Sequence, residues 1–108
     1  MKQTIIEYLN GAFGVDGDDA NELFTSYVNT ITENFAKLQS QSLAGDFADA
    51  VKTAHTIKGC SLNCGNNEMA EAAKAAEFAA KAGDAETLRL NVEKIRVMTE
   101  ILSQELAG

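Results

Sequence analysis

The 108-residue sequence contains no proline and no tryptophan, and it has a single histidine. Because proline interrupts helices more strongly than any other residue, its absence together with abundant alanine favours helix throughout. No apolar run is long enough to cross a bilayer, and the first residues lack the apolar core of a signal peptide. We therefore expect a helical, cytoplasmic protein without a membrane-spanning segment.

Positive charge is also scarce. Nine Lys and Arg residues stand against 16 Asp and Glu residues, which gives a formal net charge of -7. Such a surface repels phosphate backbones and anionic lipid headgroups, so we expect neither nucleic acid nor membrane as a partner. The length suits one domain, over residues 1–108, with a single core that needs no disulfide or metal. We expect this domain to be a monomer.

Ligands for a metal or a disulfide are few. Cys60 and Cys64 lie four residues apart in one predicted helix, where a disulfide would be strained and would close almost no loop. A metal site would need more soft ligands than the chain has. Asp16, Asp18 and Asp19 lack the alternation and the closing Glu of a calcium loop. We interpret the cysteines as small packed thiols and the aspartates as a helix N-cap with an acidic first turn.

Hydrophobic periodicity predicts five helices and no strand. The first is short, covers about residues 2–9, and ends where Gly11, Gly14 and Gly17 break the chain. The other four are long and are predicted at about residues 19–43, 46–64, 67–82 and 84–106. Because the connections are short, consecutive helices must run antiparallel. The predicted fold class is all-α: an antiparallel up-down four-helix bundle with a short extra N-terminal helix.

The only histidine lies inside the third predicted helix, in the run Ala54-His55-Thr56-Ile57-Lys58-Gly59. Ala54 and Ile57 continue the buried stripe, so His55 lies at its edge and is partly exposed. Lys58 is one turn away on the same side. A mid-helix glycine such as Gly59 costs about 0.5–1 kcal/mol relative to alanine, and close approach of a phosphate or a partner backbone could offset that cost. The run predicts a histidine that holds a phosphoryl group on a ring nitrogen.

The turn between the third and fourth helices suggests a partner for this histidine. The turn centres on Asn66, with His55 eleven residues before it and Glu77 eleven residues after it. Residues equidistant from the turn of an antiparallel helix pair lie at the same height, so Glu77 should reach the imidazole. A carboxylate that accepts the Nδ1 proton would fix the tautomer and leave Nε2 as the exposed nucleophile.

This set of residues resembles the histidine-containing phosphotransfer (HPt) domains of bacterial two-component phosphorelays. The resemblance covers about residues 16–106, and its most specific part is the His-x-x-Lys-Gly core. The other matching positions are Leu23-Phe24, Gly45-Asp46, Cys60-Ser61, Gly65, Glu77 and Gly83-Asp84. Cys60, Cys64 and Ala76 depart from the residue types common in the family, which affects local packing and not the chemistry.

The resemblance implies a role for each residue of the site. It implies that His55 is phosphorylated, that Lys58 lies near the phosphoryl group, and that Gly59 clears space beside it. It also implies that Glu77 hydrogen-bonds the histidine. Partner docking is expected at the edge around His55, through Val51 and Leu62 of the third helix and through Thr30 and Asn34 of the second.

By the same resemblance the protein is a phosphocarrier and not an enzyme with its own ATP site, and the chain has no Gly-rich nucleotide loop. Its expected partners are response-regulator receiver domains, a hybrid sensor kinase, or both. No cofactor is expected on this chain, because the receiver would supply the Mg²⁺. The start at Met1 and the stop soon after the last helix favour a separate protein over a domain excised from a kinase.

Two other functions compete with this interpretation. One is a binding module that docks on a receiver without passing phosphate, which the complete His-x-x-Lys-Gly set disfavours. The other is a hydrolase that uses His55. The chain offers no second histidine and no evidently activated Ser or Cys nucleophile for that chemistry.

Overall fold

The computed structural model describes all residues from 1 to 108 and contains five α-helices and no strand. The helices are α1 (Lys2–Phe13), α2 (Gly17–Ala44), α3 (Phe47–Asn63), α4 (Asn67–Lys81) and α5 (Ala85–Ala107). The four long helices each begin and end within two residues of the predicted segments. Consecutive long helices pack against one another, and α2 closes the bundle by packing on α5. The all-α prediction is confirmed, and none of the helices has the length and hydropathy that crossing a bilayer requires.

The N-terminal helix is longer than predicted. It continues through Gly11 to Phe13 and ends only at Gly14, whose φ of 65° is left-handed. The prediction that Gly11 breaks the chain was wrong, because one glycine inside a helix costs only about 1 kcal/mol. The helix is held down by Ile5 and Leu9, which are almost fully buried. The break comes where the backbone needs a positive φ.

Each long helix begins at a side-chain cap, and the cap of α2 comes from the group Asp16, Asp18 and Asp19 that was interpreted as an N-cap with an acidic first turn. Asp16 accepts a hydrogen bond from the backbone N–H of Asp19 at the start of α2, and the caps of α3, α4 and α5 are Asp46, Asn66 and Asp84. A glycine with positive φ directly precedes each of the last three caps. The glycine ends one helix and the capping residue starts the next, so the phase and length of α3 and α4 are fixed by short, defined turns.

Small side chains let α3 and α4 approach closely. Ala50 and Ala54 of α3 and Ala73 and Ala76 of α4 are completely buried. Alanine occupies little space between two helix axes, so the backbones come near enough for side chains at the edge of the pair to meet. This close packing brings Glu77, which follows Ala76, within reach of His55, which follows Ala54.

A buried polar network fixes the turn between α3 and α4. The Tyr27 hydroxyl lies 2.7 Å from the Ser61 hydroxyl and accepts a hydrogen bond of 3.0 Å from the Asn66 amide. The Asn66 side-chain oxygen also accepts from the backbone N–H of Met69. Burial raises the pKa of Tyr27 to about 12, so the hydroxyl stays protonated at neutral pH. The network joins α2, α3 and the start of α4. It fixes the turn and therefore fixes how far α3 and α4 are shifted along each other.

Both cysteines are free thiols and pack, half-buried, against the edge of the core. Burial raises the pKa of Cys64 to about 11, so this thiol is protonated at neutral pH. The interpretation of the pair as packed thiols agrees with this placement.

Candidate functional site

His55 stands at the edge of the bundle on α3. Its neighbours Ala54 and Ile57 are fully buried, whereas 66% of the His55 side chain is exposed to solvent. The Nδ1 atom faces the protein, and Nε2 makes no hydrogen bond within it. Nε2 is therefore accessible from solvent, while Nδ1 faces the bundle. The exposure agrees with the expectation that His55 lies at the edge of the buried stripe.

Glu77 of α4 lies beside the imidazole. Its Oε2 atom is 3.2 Å from Nδ1 of His55, so the contact predicted from the height of the two residues is present. Only 9% of the Glu77 side chain is exposed. An ionised carboxylate accepts hydrogen bonds and donates none, so the neutral ring must carry its proton on Nδ1 to satisfy this contact. The free lone pair of the ring is then on Nε2.

Two lysines complete the surroundings of the Glu77 carboxylate. Lys58 donates from Nζ to Oε1 at 2.9 Å, and Lys81 lies 3.4 Å from Oε2. The hydrogen bond from Lys58 holds the pKa of Glu77 below its usual value against the opposing effect of burial, and the charge of Lys58 and the contact with Lys81 lower it further. The carboxylate is ionised at neutral pH and is compensated by cations, as a buried charge must be.

Lys58 is part of this cluster and not a free surface cation. About a quarter of its side chain is exposed, and its ammonium group forms an ion pair with the Glu77 carboxylate. The sequence-based interpretation placed Lys58 one turn from His55 but assigned it no carboxylate. Lys81 was missed altogether, although its spacing of four residues from Glu77 on α4 is the signal by which an ion pair on a helix can be found.

Gly59 lies on the outer surface of α3 and is partly exposed. A Cβ atom at this position would meet no other atom within 4 Å, and φ is not in the left-handed region. Nothing inside the protein therefore requires glycine here. The space that Gly59 leaves open faces outward, where only a binding partner could use it.

The four predicted docking residues lie on two sides of α3. Leu62 is half-exposed and follows His55 by two helical turns, while Val51 on the same side is partly buried against the core. Thr30 and Asn34 are partly buried on α2, and the Asn34 amide donates to the Thr30 backbone carbonyl. The structure brings Val51 and Leu62 to the edge that carries His55, and it places Thr30 across α3 from them.

A groove of about 330 Å³ lies between α1, α2 and α3, on the flank of α3 away from Glu77. Its apolar lining includes Phe13 and Leu23, both substantially exposed, and Thr30 and Cys60 also line it. Sequence reasoning missed Phe13 because it ended the first helix too early. A longer first helix would have placed Phe13 one turn beyond Leu9, next to the second helix.

Comparison with protein families identifies the chain. The family model described as Hpt domain matches residues 9–107, which is nearly the whole sequence. Comparisons with the curated proteins and with the solved structures gave no match. The chain therefore belongs to the Hpt domain family, whose members carry phosphoryl groups on a histidine in two-component phosphorelays and interact with receiver domains or kinases.

The ion pairs of Glu77 predict a pH dependence of stability. Because the pKa of Glu77 is lower in the folded state than its usual value of 4.5, its pairing stabilises the fold fully above that value. This contribution is lost as the pH falls through the lower folded-state pKa. Urea unfolding of wild type and Glu77→Gln should show a lower free energy of unfolding for the variant at pH 7 and a shrinking difference on acidification.

Glu71→Gln is the matched control for this experiment, because Glu71 is an exposed carboxylate of the same helix that forms no ion pair. Its pH profile should follow that of wild type. A difference between wild type and Glu77→Gln that stays constant down to the acid limit would contradict the pairing of Glu77.

Proposed function

We propose that this Hpt domain is a phosphocarrier in which Nε2 of His55 accepts a phosphoryl group from the phospho-aspartate of a receiver domain, or from a kinase. A second receiver then takes the group. The observation that carries this proposal is the contact between Glu77 Oε2 and His55 Nδ1 on a ring that is otherwise exposed. A buried, ionised acceptor on one ring nitrogen leaves the other as a nucleophile directed at solvent.

The transfer is a substitution at phosphorus. The lone pair of His55 Nε2 forms the new N–P bond while the P–O bond to the aspartate breaks, and the aspartate leaves as a carboxylate. The ring becomes positively charged as the bond forms, and its Nδ1 proton stays on the hydrogen bond to Glu77. The negative charge of Glu77 stabilises the developing positive charge, which is electrostatic assistance fixed in place before the reaction. The return transfer reverses these steps.

Lys58 supplies a cation for the phosphoryl oxygens. In the resting arrangement its ammonium group is bonded to Glu77 Oε1, so contact with a phosphoryl group on Nε2 requires the side chain to turn outward. Lys81 stays within ion-pair distance of the same carboxylate and keeps it compensated when Lys58 leaves. The two lysines thus have different roles. Lys58 approaches the phosphoryl group, and Lys81 holds Glu77 in position.

The outer surface of α3 is the docking face for the receiver. Gly59 lies between the edge that carries His55 and Leu62 and the groove lined by Phe13 and Leu23. A receiver centred over Gly59 would cover exposed apolar side chains on both sides, and the burial of such side chains drives association. The Mg²⁺ and the catalytic groups that activate the phospho-aspartate belong to the receiver, and this chain contributes the oriented nucleophile.

We predict that His55→Gln abolishes phosphoryl acceptance and leaves the fold intact, since the side chain is exposed and outside the core. Incubation with a phosphorylated receiver and a radiolabel readout measures this. The label on wild type should be lost in acid and kept in base, as a phosphoramidate is and an acyl phosphate is not. A His55→Gln protein that binds the receiver but takes no label supports the proposal, whereas transfer at the wild-type rate would place the acceptor elsewhere.

We predict that Lys58→Ala slows transfer by roughly ten- to a hundredfold without abolishing it, because Lys58 contributes charge but forms no bond to phosphorus. Raising the ionic strength should reduce the difference between variant and wild type. Lys74→Ala is the control: Lys74 is an exposed lysine on α4 that does not pair with Glu77. Equal rates for wild type and Lys58→Ala at low salt would make Lys58 a bystander.

A further inference from the structure

A second groove, of about 620 Å³, runs between α4 and α5. Its α4 wall contains Ala72 and Ala75. Since successive helical residues turn by about 100°, Ala75 lies about 200° around α4 from Glu77. The groove is therefore on the flank of α4 that faces away from His55, and the phosphoryl-transfer site described above makes no use of it.

One row of α5 side chains at this groove is apolar and exposed, while Asn91, Glu93 and Lys94 line the groove as well. Val97 lines the groove with 43% of its surface accessible, and Leu90 and Ile101 on the same side of α5 are 50% and 40% exposed. Their spacing of seven and four residues is the spacing of a helix-packing seam. No helix of this chain covers the seam. Val97, Met98 and the two alanines of α4 are the apolar lining of the groove, and Leu90 and Ile101 extend this apolar surface along α5.

Polar groups along the groove indicate the chemistry of that helix. Glu68 and Glu71 line the α4 side, are exposed and form no ion pair. Asn91 also lines the groove, and its amide donates to the Thr87 carbonyl. Lys94 adds one positive charge, and Glu93, which pairs with Arg96, lines the groove beside it. The two unpaired carboxylates on the α4 side call for positive charge on whatever binds.

We propose that the α4–α5 groove binds an amphipathic helix of a partner protein that packs its apolar face on Val97 and the alanine wall and places Lys or Arg side chains on Glu68 and Glu71. A second copy of this chain fits poorly, because its own groove is acidic and each chain carries a net charge of -7. The groove and the His55 edge lie on opposite flanks of α4, so the helix and a receiver can bind at the same time. The groove would thus anchor the phosphocarrier beside its donors and acceptors.

The test uses a synthetic 18-residue amphipathic peptide with leucines on one face and lysines on the flanks, titrated into ¹⁵N-labelled protein. The amide shifts of Ala72, Ala75 and Val97 should change, and those of His55 and Leu62 should not. The same peptide with glutamates in place of lysines should bind more weakly. Shifts confined to the groove near Phe13, or equal affinity for the two peptides, would overturn the proposal, as would dimerisation of the protein through this face.

Variants of the groove make the test specific. Combined Glu68→Gln and Glu71→Gln should weaken the lysine peptide roughly three- to tenfold, and Val97→Ser should weaken it further. The controls are Glu22→Gln with Glu33→Gln, which remove two exposed carboxylates of α2, and Leu43→Ser, which removes an exposed leucine at the end of α2. Equal loss in the control variants would contradict the assignment.

Phosphoryl acceptance by His55 should be the same in all of these groove and control variants. A failure of peptide binding with intact phosphoryl acceptance therefore rejects the groove alone and leaves the proposed function standing.

Discussion

The site depends on one nearly buried carboxylate. Glu77 is held between the Nδ1 atom of His55 and the ammonium groups of Lys58 and Lys81, with 9% of its side chain exposed. A charge in such a place is tolerated only when cations and hydrogen-bond donors surround it, and the same donors keep it ionised. The orientation of the imidazole follows, because an ionised carboxylate can only accept the ring proton. In the proposed transfer, the nucleophile is therefore oriented by electrostatics within the bundle before any partner binds.

This arrangement demands that α3 and α4 be fixed in height and distance. Distance is set by alanines such as Ala54 and Ala76, which let the helix axes come close. Height is set at the turn, where Asn66 starts α4 and also bonds to Tyr27 of α2. A slip of one residue in either helix would turn His55 or Glu77 by about 100° and separate them. The polar network at the turn, although remote from His55, therefore supports the geometry on which the proposed transfer depends.

Much of the fold and part of the site could be predicted from the sequence. Local signals determined the long helices: a glycine with positive φ followed by a capping Asp or Asn marks a boundary whatever the tertiary structure. The contact of His55 with Glu77 followed from counting residues from Asn66, because residues equally far from a short turn lie at the same height on two antiparallel helices. The position of Lys81 also carried a signal, its spacing from Glu77, but a lysine considered alone is normally a solvated charge.

Other features could not be predicted because they depend on packing. The end of α1 was misplaced, since the small helix penalty of Gly11 is outweighed by the burial of Ile5 and Leu9, which only the assembled bundle shows. The two grooves are likewise products of how the helices are arranged around the core. No periodicity within a single helix distinguishes a side chain such as Val97, exposed beside a groove, from one that another helix of the bundle would cover.

The most direct test of the central claim is the position of the proton and of the phosphorus on the single imidazole. Long-range ¹H–¹⁵N correlation spectra of ¹⁵N-labelled protein at mildly alkaline pH report the tautomer of His55, and the same spectra after phosphorylation report the nitrogen that is modified. If Glu77 orients the ring, the neutral histidine carries its proton on Nδ1 and the phosphoryl group is bonded to Nε2. A neutral ring protonated mainly on Nε2, or phosphorus bonded to Nδ1, would contradict the account.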